Sequence, residues 1–151
     1  MLSIMKFLVF SALFGLLLAE CDINCECPLI TKLYTGNPTA YVHKNGTGCS
    51  QSLTCSSNNI VVTLLKELST FPDIEDGWVP NLSTFFNPAL PHSERPVLTV
   101  EYFSDYGMVC EDGRWFATKF PMGVNYGFGP FDPVLVNGKG YRAAIELLIC
   151  G

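Results

Sequence analysis

The stretch from Met108 to Phe120 reads "MVCEDGRWFATKF" and predicts a β-hairpin. Asp112-Gly113 is a signal for a type I′ turn, because both central positions of that turn need a positive φ. A turn at these two residues pairs the flanking residues across the strands: Glu111 with Arg114, and Cys110 with Trp115. We therefore expect an ion pair at the hairpin tip and a large aromatic ring packed beside a disulfide.

Further strand and hairpin signals flank this one. In "VLTVEYF", Leu98, Val100 and Tyr102 alternate with polar residues, which is the period of a half-buried strand. Asn137-Gly138 lies between "DPVLV" and "YRAAIELLIC" and predicts a second hairpin joining those two runs.

Two segments fit either a strand or a helix. In Ile60–Phe71, several leucines fit one helical face, but the β-branched start favours a strand, and we predict a strand. In Tyr141–Cys150, alternate residues from Tyr141 to Ile149 share one face, which leaves Cys150 on the other. A bulge near the end, or a short helix, would resolve this conflict.

Short strands, turn signals, 13 glycines and 10 prolines predict an all-β fold. Five of the prolines lie between Pro72 and Pro96, where long regular elements are not expected. We expect a small, disulfide-stapled antiparallel β-sandwich with long irregular loops.

The first residues have the layout of a secretory signal peptide. Lys6 precedes an uncharged run of 12 residues, Phe7–Leu18, and Ala19 offers a small residue for cleavage. A membrane span needs 18 or more apolar residues, so the run is too short to be an anchor. We predict a signal peptide at 1–19, a single cysteine-rich β domain at 20–151, a secreted protein, and no membrane span after cleavage.

The charge of the chain argues against two classes of partner. The formal net charge is −5 and becomes −6 once Lys6 is removed. Nucleic acids and anionic membrane surfaces attract basic proteins, so neither is expected to be a partner.

All seven cysteines follow the predicted cleavage site, and in an oxidising compartment they are expected to pair. Their spacing lacks the repeated C-x2-4-C of zinc sites and the C-x-x-C of redox motifs, so we expect neither metal nor cofactor. We favour a Cys110–Cys150 bridge, because these two lie far from the others in sequence. The remaining bridges would join Cys25 and Cys27 to Cys49 and Cys55. Cys21 would stay unpaired or link two chains in a dimer.

These features resemble a nematode family of small secreted cysteine-rich domains, the DUF281 type. The resemblance is carried by the leader, "CECPLIT", "GCSQSLTC", "CEDGRW" in a hairpin, and a cysteine near the end. It covers about Cys25 to Cys150 and departs from the family in the seventh cysteine, Cys21. The resemblance implies a compartment and a disulfide framework, and it implies no biochemical activity.

Two kinds of surface site are predicted. Asn45 in "NGT" and Asn81 in "NLS" are acceptors for N-glycosylation, whereas the proline in "NPT" excludes Asn37. The second site is an irregular loop in which glycine and proline space four aromatic residues: Phe120, Tyr126, Phe128 and Phe131. These rings either anchor a partner or fold back over the sandwich as a lid.

Two other clusters have simpler interpretations. "DIEDG" at 73–77 lacks the ligand register of a calcium loop and fits a solvated acidic turn. "HSE" at 92–94 contains hydrolase residue types, but neighbours in one loop do not form a catalytic set. We predict no catalytic residues.

The sequence therefore predicts a secreted, non-catalytic binding module whose partner is an extracellular protein or a glycan. One alternative is a structural component of an extracellular matrix or coat, cross-linked through Cys21. Another is an extracellular hydrolase, which needs His43 or His92 to face a cleft beside a nucleophile.

Overall fold

The computed structural model describes residues 25–72, 81–85, 94–127 and 134–151. Within these ranges the chain forms eleven β-strands, a 3₁₀ turn at Ile30–Leu33 and a four-residue helix, α1, at Tyr102–Asp105. The strands are β1 (Tyr34–Gly36), β2 (Tyr41–Asn45), β3 (Gln51–Ser57), β4 (Ile60–Ser69), β5 (Asn81–Phe85), β6 (Leu98–Glu101), β7 (Val109–Glu111), β8 (Arg114–Ala117), β9 (Val124–Gly127), β10 (Val134–Val136) and β11 (Ala143–Cys150).

Several predictions lie outside the described residues. They are the signal peptide at 1–19, the unpaired Cys21, the acidic turn at 73–77, and His92. In the part of the chain that is described, no helix has the length and apolar character needed to cross a membrane.

The strands form two sheets. The larger has the order β10-β9-β5-β4-β11-β8-β7, and β1 adds to it by pairing in parallel with β11. The smaller has the order β2-β3-β6 and is antiparallel throughout. Apart from β1, all neighbouring strands of the larger sheet are antiparallel too.

One hydrophobic core is built from both sheets. The smaller sheet contributes Leu53, Cys55 and Val100, and the larger contributes Val62 and Leu148, all of them buried. Burying alternate residues of two facing sheets is the physical basis of a β-sandwich. The predicted all-β, disulfide-stapled fold is confirmed.

β11 is the central strand of the larger sheet. β4 pairs along one of its edges, while β8 and then β1 share the other. The register with β4 shifts between Ala143 and Ala144 and again between Ile145 and Leu147. Of the two alternatives, a bulge near the end or a short helix, the structure has a bulge, and it lies earlier in the strand than expected. Past the second shift, Leu148 and Cys150 become the buried residues. The strand predicted at 60–71 is also confirmed, as β4.

Helix α1 ends the strand that the alternating pattern predicted to continue to Tyr102. The Glu101 carboxylate accepts a hydrogen bond from the Ser104 amide at 2.7 Å, and the Asp105 carboxylate accepts one from the Glu101 amide at 2.9 Å. This reciprocal capping satisfies amides that would otherwise be free at the helix start. Burial raises the pKa of Tyr102, so its phenol stays protonated and donates to the Ile149 carbonyl at 3.2 Å, joining the two sheets.

The β7–β8 hairpin has the predicted turn and register. Asp112 and Gly113 both have positive φ, at 49° and 71°, and Cys110 lies opposite Trp115. The expected ion pair between Glu111 and Arg114 is wrong. Glu111 instead accepts from Arg142, with Nη1 and Oε2 2.6 Å apart, because β8 places the hairpin beside the start of β11.

The hairpin predicted at Asn137-Gly138 is wrong. β10 pairs with β9 at the outer edge of the sheet, and the chain then crosses three strands to reach β11. A hairpin between β10 and β11 would need a free edge on β11, and both edges are occupied. Gly138 serves close packing instead, since an added Cβ would lie 2.5 Å from Phe120.

Three disulfides join the six described cysteines: Cys25–Cys49, Cys27–Cys110 and Cys55–Cys150. The favoured Cys110–Cys150 pair is therefore wrong. β8 separates the strand that carries Cys110 from β11, and β8 pairs with β11 only at Ala143 and Ala144. Cys150 lies six or seven residues further along β11, roughly 20 Å at the rise of a strand, which is beyond the reach of a disulfide.

The packing of β1 on β11 predicts that Gly36 tolerates a side chain least among the glycines of the described residues. It has φ 128°, and an added Cβ would lie 2.2 Å from the Cys150 carbonyl oxygen. Gly140 is a matched control, because it has φ 85° and nothing within 4 Å of an added Cβ. Gly140→Ala should cost about 1–2 kcal/mol for the positive φ alone, and Gly36→Ala should cost clearly more. Unfolding in guanidinium chloride checks this order, and equal losses would contradict the close packing.

The disulfides predict a second order of stabilities. Cys55–Cys150 closes a separation of 95 residues inside the core, whereas Cys25–Cys49 closes 24 and is half-buried. In the chain-entropy model the longer loop alone is worth about 1 kcal/mol more. The double variant C55A/C150A should therefore unfold at lower denaturant than C25A/C49A. The reverse order in an equilibrium unfolding experiment would show that the buried bridge is not the main staple.

Candidate functional site

A groove lies between the N-terminal segment and the β7–β8 hairpin. Its volume is about 390 Å³. One wall is formed by Pro28 and Leu33 of the segment, and Ile145 of β11 also lines the groove. The hairpin supplies the opposite wall: Asp112, Gly113, Arg114 and Trp115. Most of the wall side chains are apolar, and the two charged ones are exposed at the hairpin tip.

Direct contacts hold the two walls together. The Trp115 indole Nε1 donates to the Pro28 carbonyl at 2.8 Å, and the Trp115 side chain is 2% exposed. The Cys27–Cys110 disulfide ties the residue before Pro28 to β7, and Cys27 Sγ lies 3.2 Å from the Arg114 carbonyl oxygen. Trp115 therefore acts as a fixed wall, because its hydrogen-bonding group is already used and its ring is packed.

Aromatic packing behind the hairpin fixes Trp115 further. The Phe103 ring meets the Trp115 ring edge-on, with centroids 5.2 Å apart. On β8 the next residue, Phe116, lies under the Arg142 guanidinium at 4.5 Å. Such contacts between rings, and between a cation and a ring, add to the energy of burial. The hairpin is thus held on the core side at Trp115 and on the opposite face of β8 at Phe116, while its tip faces the groove.

A second groove of about 330 Å³ lies at the other end of the larger sheet. Its lining includes Lys119, Phe120 and Pro121 on one side and the 137–140 turn on the other. The Lys119 ammonium donates to the Ser104 carbonyl at 3.2 Å. None of the three disulfides that join described cysteines links the walls of this second groove.

The predicted aromatic loop has a different form in the structure. Val124–Gly127 is strand β9, so an irregular loop is wrong for these residues, and the backbone of Tyr126 pairs with Leu82 and Val134. Phe120 is buried and meets Phe71 edge-on, with centroids 5.3 Å apart, which is the lid arrangement. Phe128 and Phe131 lie outside the described residues.

The other predicted sites lie apart from the first groove. His43 is on β2, half-buried, with Nε2 3.2 Å from the Gln51 Oε1, and it lines neither groove. Asn45 is exposed at the end of β2, beside the turn that leads to β3. Asn81 begins β5, where its backbone pairs with Gly127.

Three sulfur atoms converge close to the groove. The Sγ atoms of Cys25, Cys49 and Cys110 all lie within 4.8 Å of one another, although they belong to two different disulfides. Only a thiolate is a good metal ligand, so the oxidised sulfurs do not form a metal site. Their proximity instead places two disulfides side by side.

The sequence did not reveal four of the residues that line the groove: Pro28, Leu33, Arg114 and Ile145. Each belongs to an element with its own local role, and no motif links them. The one signal that pointed to this region was the expectation of a large ring beside a disulfide, which Trp115 and Cys110 fulfil.

The comparisons with known proteins give one match. The model of the family described as TRA-1 regulated protein R03H10.4 matches residues 23–150. No curated protein and no solved structure matches the chain. The match supports the expected nematode family of unknown function, but it is not specifically to the DUF281 type. Because the matched region spans nearly the whole β domain, the chain belongs to the TRA-1 regulated protein R03H10.4 family.

Proposed function

We propose that this chain is a secreted, non-catalytic binding module that holds an extracellular protein or a glycan in the groove between residues 28–33 and the β7–β8 hairpin. The observation that carries this proposal is the groove itself, whose walls combine apolar and polar surface and whose rim is formed by Asp112 and Arg114. Ligand sites are mostly concave and apolar, with a few polar groups that orient the ligand.

The rigidity of the groove supports binding. Its walls come from distant parts of the chain and are joined by the Cys27–Cys110 bridge and by the hydrogen bond from Trp115 to Pro28. A surface that is already ordered loses less conformational entropy when a partner binds. The same free energy of contact therefore yields a tighter complex than a flexible loop would give.

The proposed compartment has two supports. The three disulfides of the described chain are typical of proteins that fold in an oxidising environment. The leader at 1–19 has the layout of a secretory signal. The description of the family speaks of regulation by TRA-1, which concerns how that protein is controlled, so the chemistry proposed here rests on the groove alone.

A charge placed in the groove should weaken binding. Leu33→Arg puts a guanidinium on the apolar wall, and Leu68→Arg is the matched control, because Leu68 is exposed on β4 and does not line the groove. The probes are an array of immobilised glycans and a panel of purified extracellular domains. We expect at least one probe to bind the unaltered chain and the L68R variant equally. L33R should bind that probe about tenfold more weakly or worse, which corresponds to about 1.4 kcal/mol.

The same experiment contradicts the proposal in two ways. A probe that binds L33R as well as the unaltered chain would place the binding surface elsewhere. Failure of every glycan and every domain to bind the unaltered chain would remove the reason for calling it a binding module. Circular dichroism of both variants shows that the comparison is made between folded proteins.

Secretion predicts a glycan on Asn45. The side chain is exposed and followed by Gly46 and Thr47, which are exposed as well. When the full chain is secreted from cultured animal cells, Asn45→Gln should reduce the intact mass by one N-glycan. Asn37→Gln is the control, since Pro38 makes that site unusable, and it should change the mass only by the substitution. Treatment with peptide-N-glycosidase checks the assignment, and an N45Q protein with an unchanged glycan mass would contradict it.

A further inference from the structure

We propose that the Cys25–Cys49 bridge is a site of thiol exchange, at which an extracellular low-molecular-weight thiol starts a rearrangement of the neighbouring Cys27–Cys110 bridge. Two observations carry this proposal: the convergence of sulfur atoms from two bridges, and the unequal burial of the three bridges.

Both sulfurs of the Cys25–Cys49 bridge lie near one sulfur of the neighbouring bridge, that of Cys110. The Sγ atoms of Cys25 and Cys49 each lie within 4.8 Å of the Sγ of Cys110. Disulfides exchange when a thiolate attacks one sulfur of a bridge and displaces the other. Whichever cysteine of the first bridge is released as a thiolate, it has Cys110 beside it, so Cys110 is the target in either case.

Burial decides where an external thiol can begin. Cys25, Cys49 and Cys110 are half-buried, whereas Cys27 is 6% exposed and both Cys55 and Cys150 are fully buried. Exchange needs access to the sulfur under attack as well as a reactive thiolate. The Cys55–Cys150 bridge is therefore protected. In the second bridge Cys110 is the accessible sulfur, and Cys27 is suited to be the group displaced. Both sulfurs of Cys25–Cys49 are accessible, whereas only one sulfur of Cys27–Cys110 is, which favours the first bridge as the starting point.

The exchange takes place in two steps that conserve the number of disulfides. The external thiolate attacks one sulfur of Cys25–Cys49, forms a mixed disulfide there and releases the other cysteine as a thiolate. That thiolate attacks Cys110 Sγ, forms a new bridge to Cys110 and displaces Cys27, which takes a proton from water. Two disulfides are present before and after, and nothing is oxidised or reduced overall. The negative charge passes from the external thiolate to Cys27, and it passes to hydroxide when Cys27 takes its proton from water.

The rearrangement would change how the groove walls are joined. Cys27–Cys110 is the covalent link between the N-terminal segment and the β7–β8 hairpin, and after exchange Cys27 no longer takes part in it. A new Cys25–Cys110 bridge would join the same segment to the hairpin two residues earlier in the chain, whereas a new Cys49–Cys110 bridge would leave the hydrogen bond from Trp115 to the Pro28 carbonyl to hold the two walls. This consequence for binding rests on the proposed function, whereas the exchange itself does not.

The test is a disulfide map of the secreted protein after treatment with reduced glutathione. The variant Cys21→Ser removes the seventh cysteine, and free thiols are blocked with N-ethylmaleimide before digestion. Cleavage after Glu26 separates Cys25 from Cys27. We expect glutathione on Cys25 or Cys49, a new bridge from the other of these to Cys110, N-ethylmaleimide on Cys27, and an intact Cys55–Cys150 bridge.

A matched variant separates exchange from direct attack on the second bridge. In C25A/C49A, on the same C21S background, labelling of Cys27 should be lost, because no thiolate can form beside Cys110. Equal labelling of Cys27 in that variant would mean that glutathione attacks Cys110 itself, and it would overturn the proposal. So would a C21S protein in which Cys25 and Cys49 are modified while Cys27–Cys110 stays intact. The result for the C21S protein can be read without any further variant. Because the experiment measures disulfides and no binding, its outcome is independent of any ligand of the groove.

Discussion

The bulge in β11 is the constraint on which the rest of the sandwich depends. Along a regular strand, alternate side chains face opposite sides, so a strand that buries Ile145 would turn Cys150 away from the core. The shift between Ile145 and Leu147 reverses this alternation, and Leu148 and Cys150 become buried. Cys150 can then reach Cys55 on β3, and the bridge between them joins the two sheets through the middle of the core.

Local chemistry explains which parts of the fold could be predicted. The Asp112-Gly113 turn depends on two adjacent residues that tolerate positive φ, so the sequence alone predicts its type and its register. Asn137-Gly138 carries the same local signal, but the strand that follows it has no free edge for β10. Neither Asn137 nor Gly138 has the positive φ that the type I′ turn needs, whereas Asp112 and Gly113 both do. The local signal is therefore realised only where the flanking strands can pair, and that depends on what the rest of the sheet has already paired.

The disulfide pairing and the groove depend on contacts that are distant in sequence. Cys27–Cys110 and Cys55–Cys150 span 83 and 95 residues, and each pair is set by which strands lie next to each other in space. The positions of the cysteines along the chain favoured a Cys110–Cys150 bridge. These positions carry no information about the order of the strands, and for that reason they did not predict the observed pairs. The groove also depends on contacts that are distant in sequence, since Leu33 and Ile145 line it together although they lie far apart along the chain. Residue types predicted the class of fold, and the sheet order decided the site.

The three bridges differ in burial and have two different structural roles: one holds the two sheets together, and the other two hold the N-terminal segment. Cys55–Cys150 is enclosed by side chains of both sheets and holds the sandwich without contact with solvent. The two bridges beside the groove hold the N-terminal segment, where the chain has a 3₁₀ turn and a short edge strand rather than a long ladder of hydrogen bonds. A segment with so few backbone partners depends on covalent links for its position. Changing those links would therefore alter the groove while the core, with its own bridge, keeps its fold.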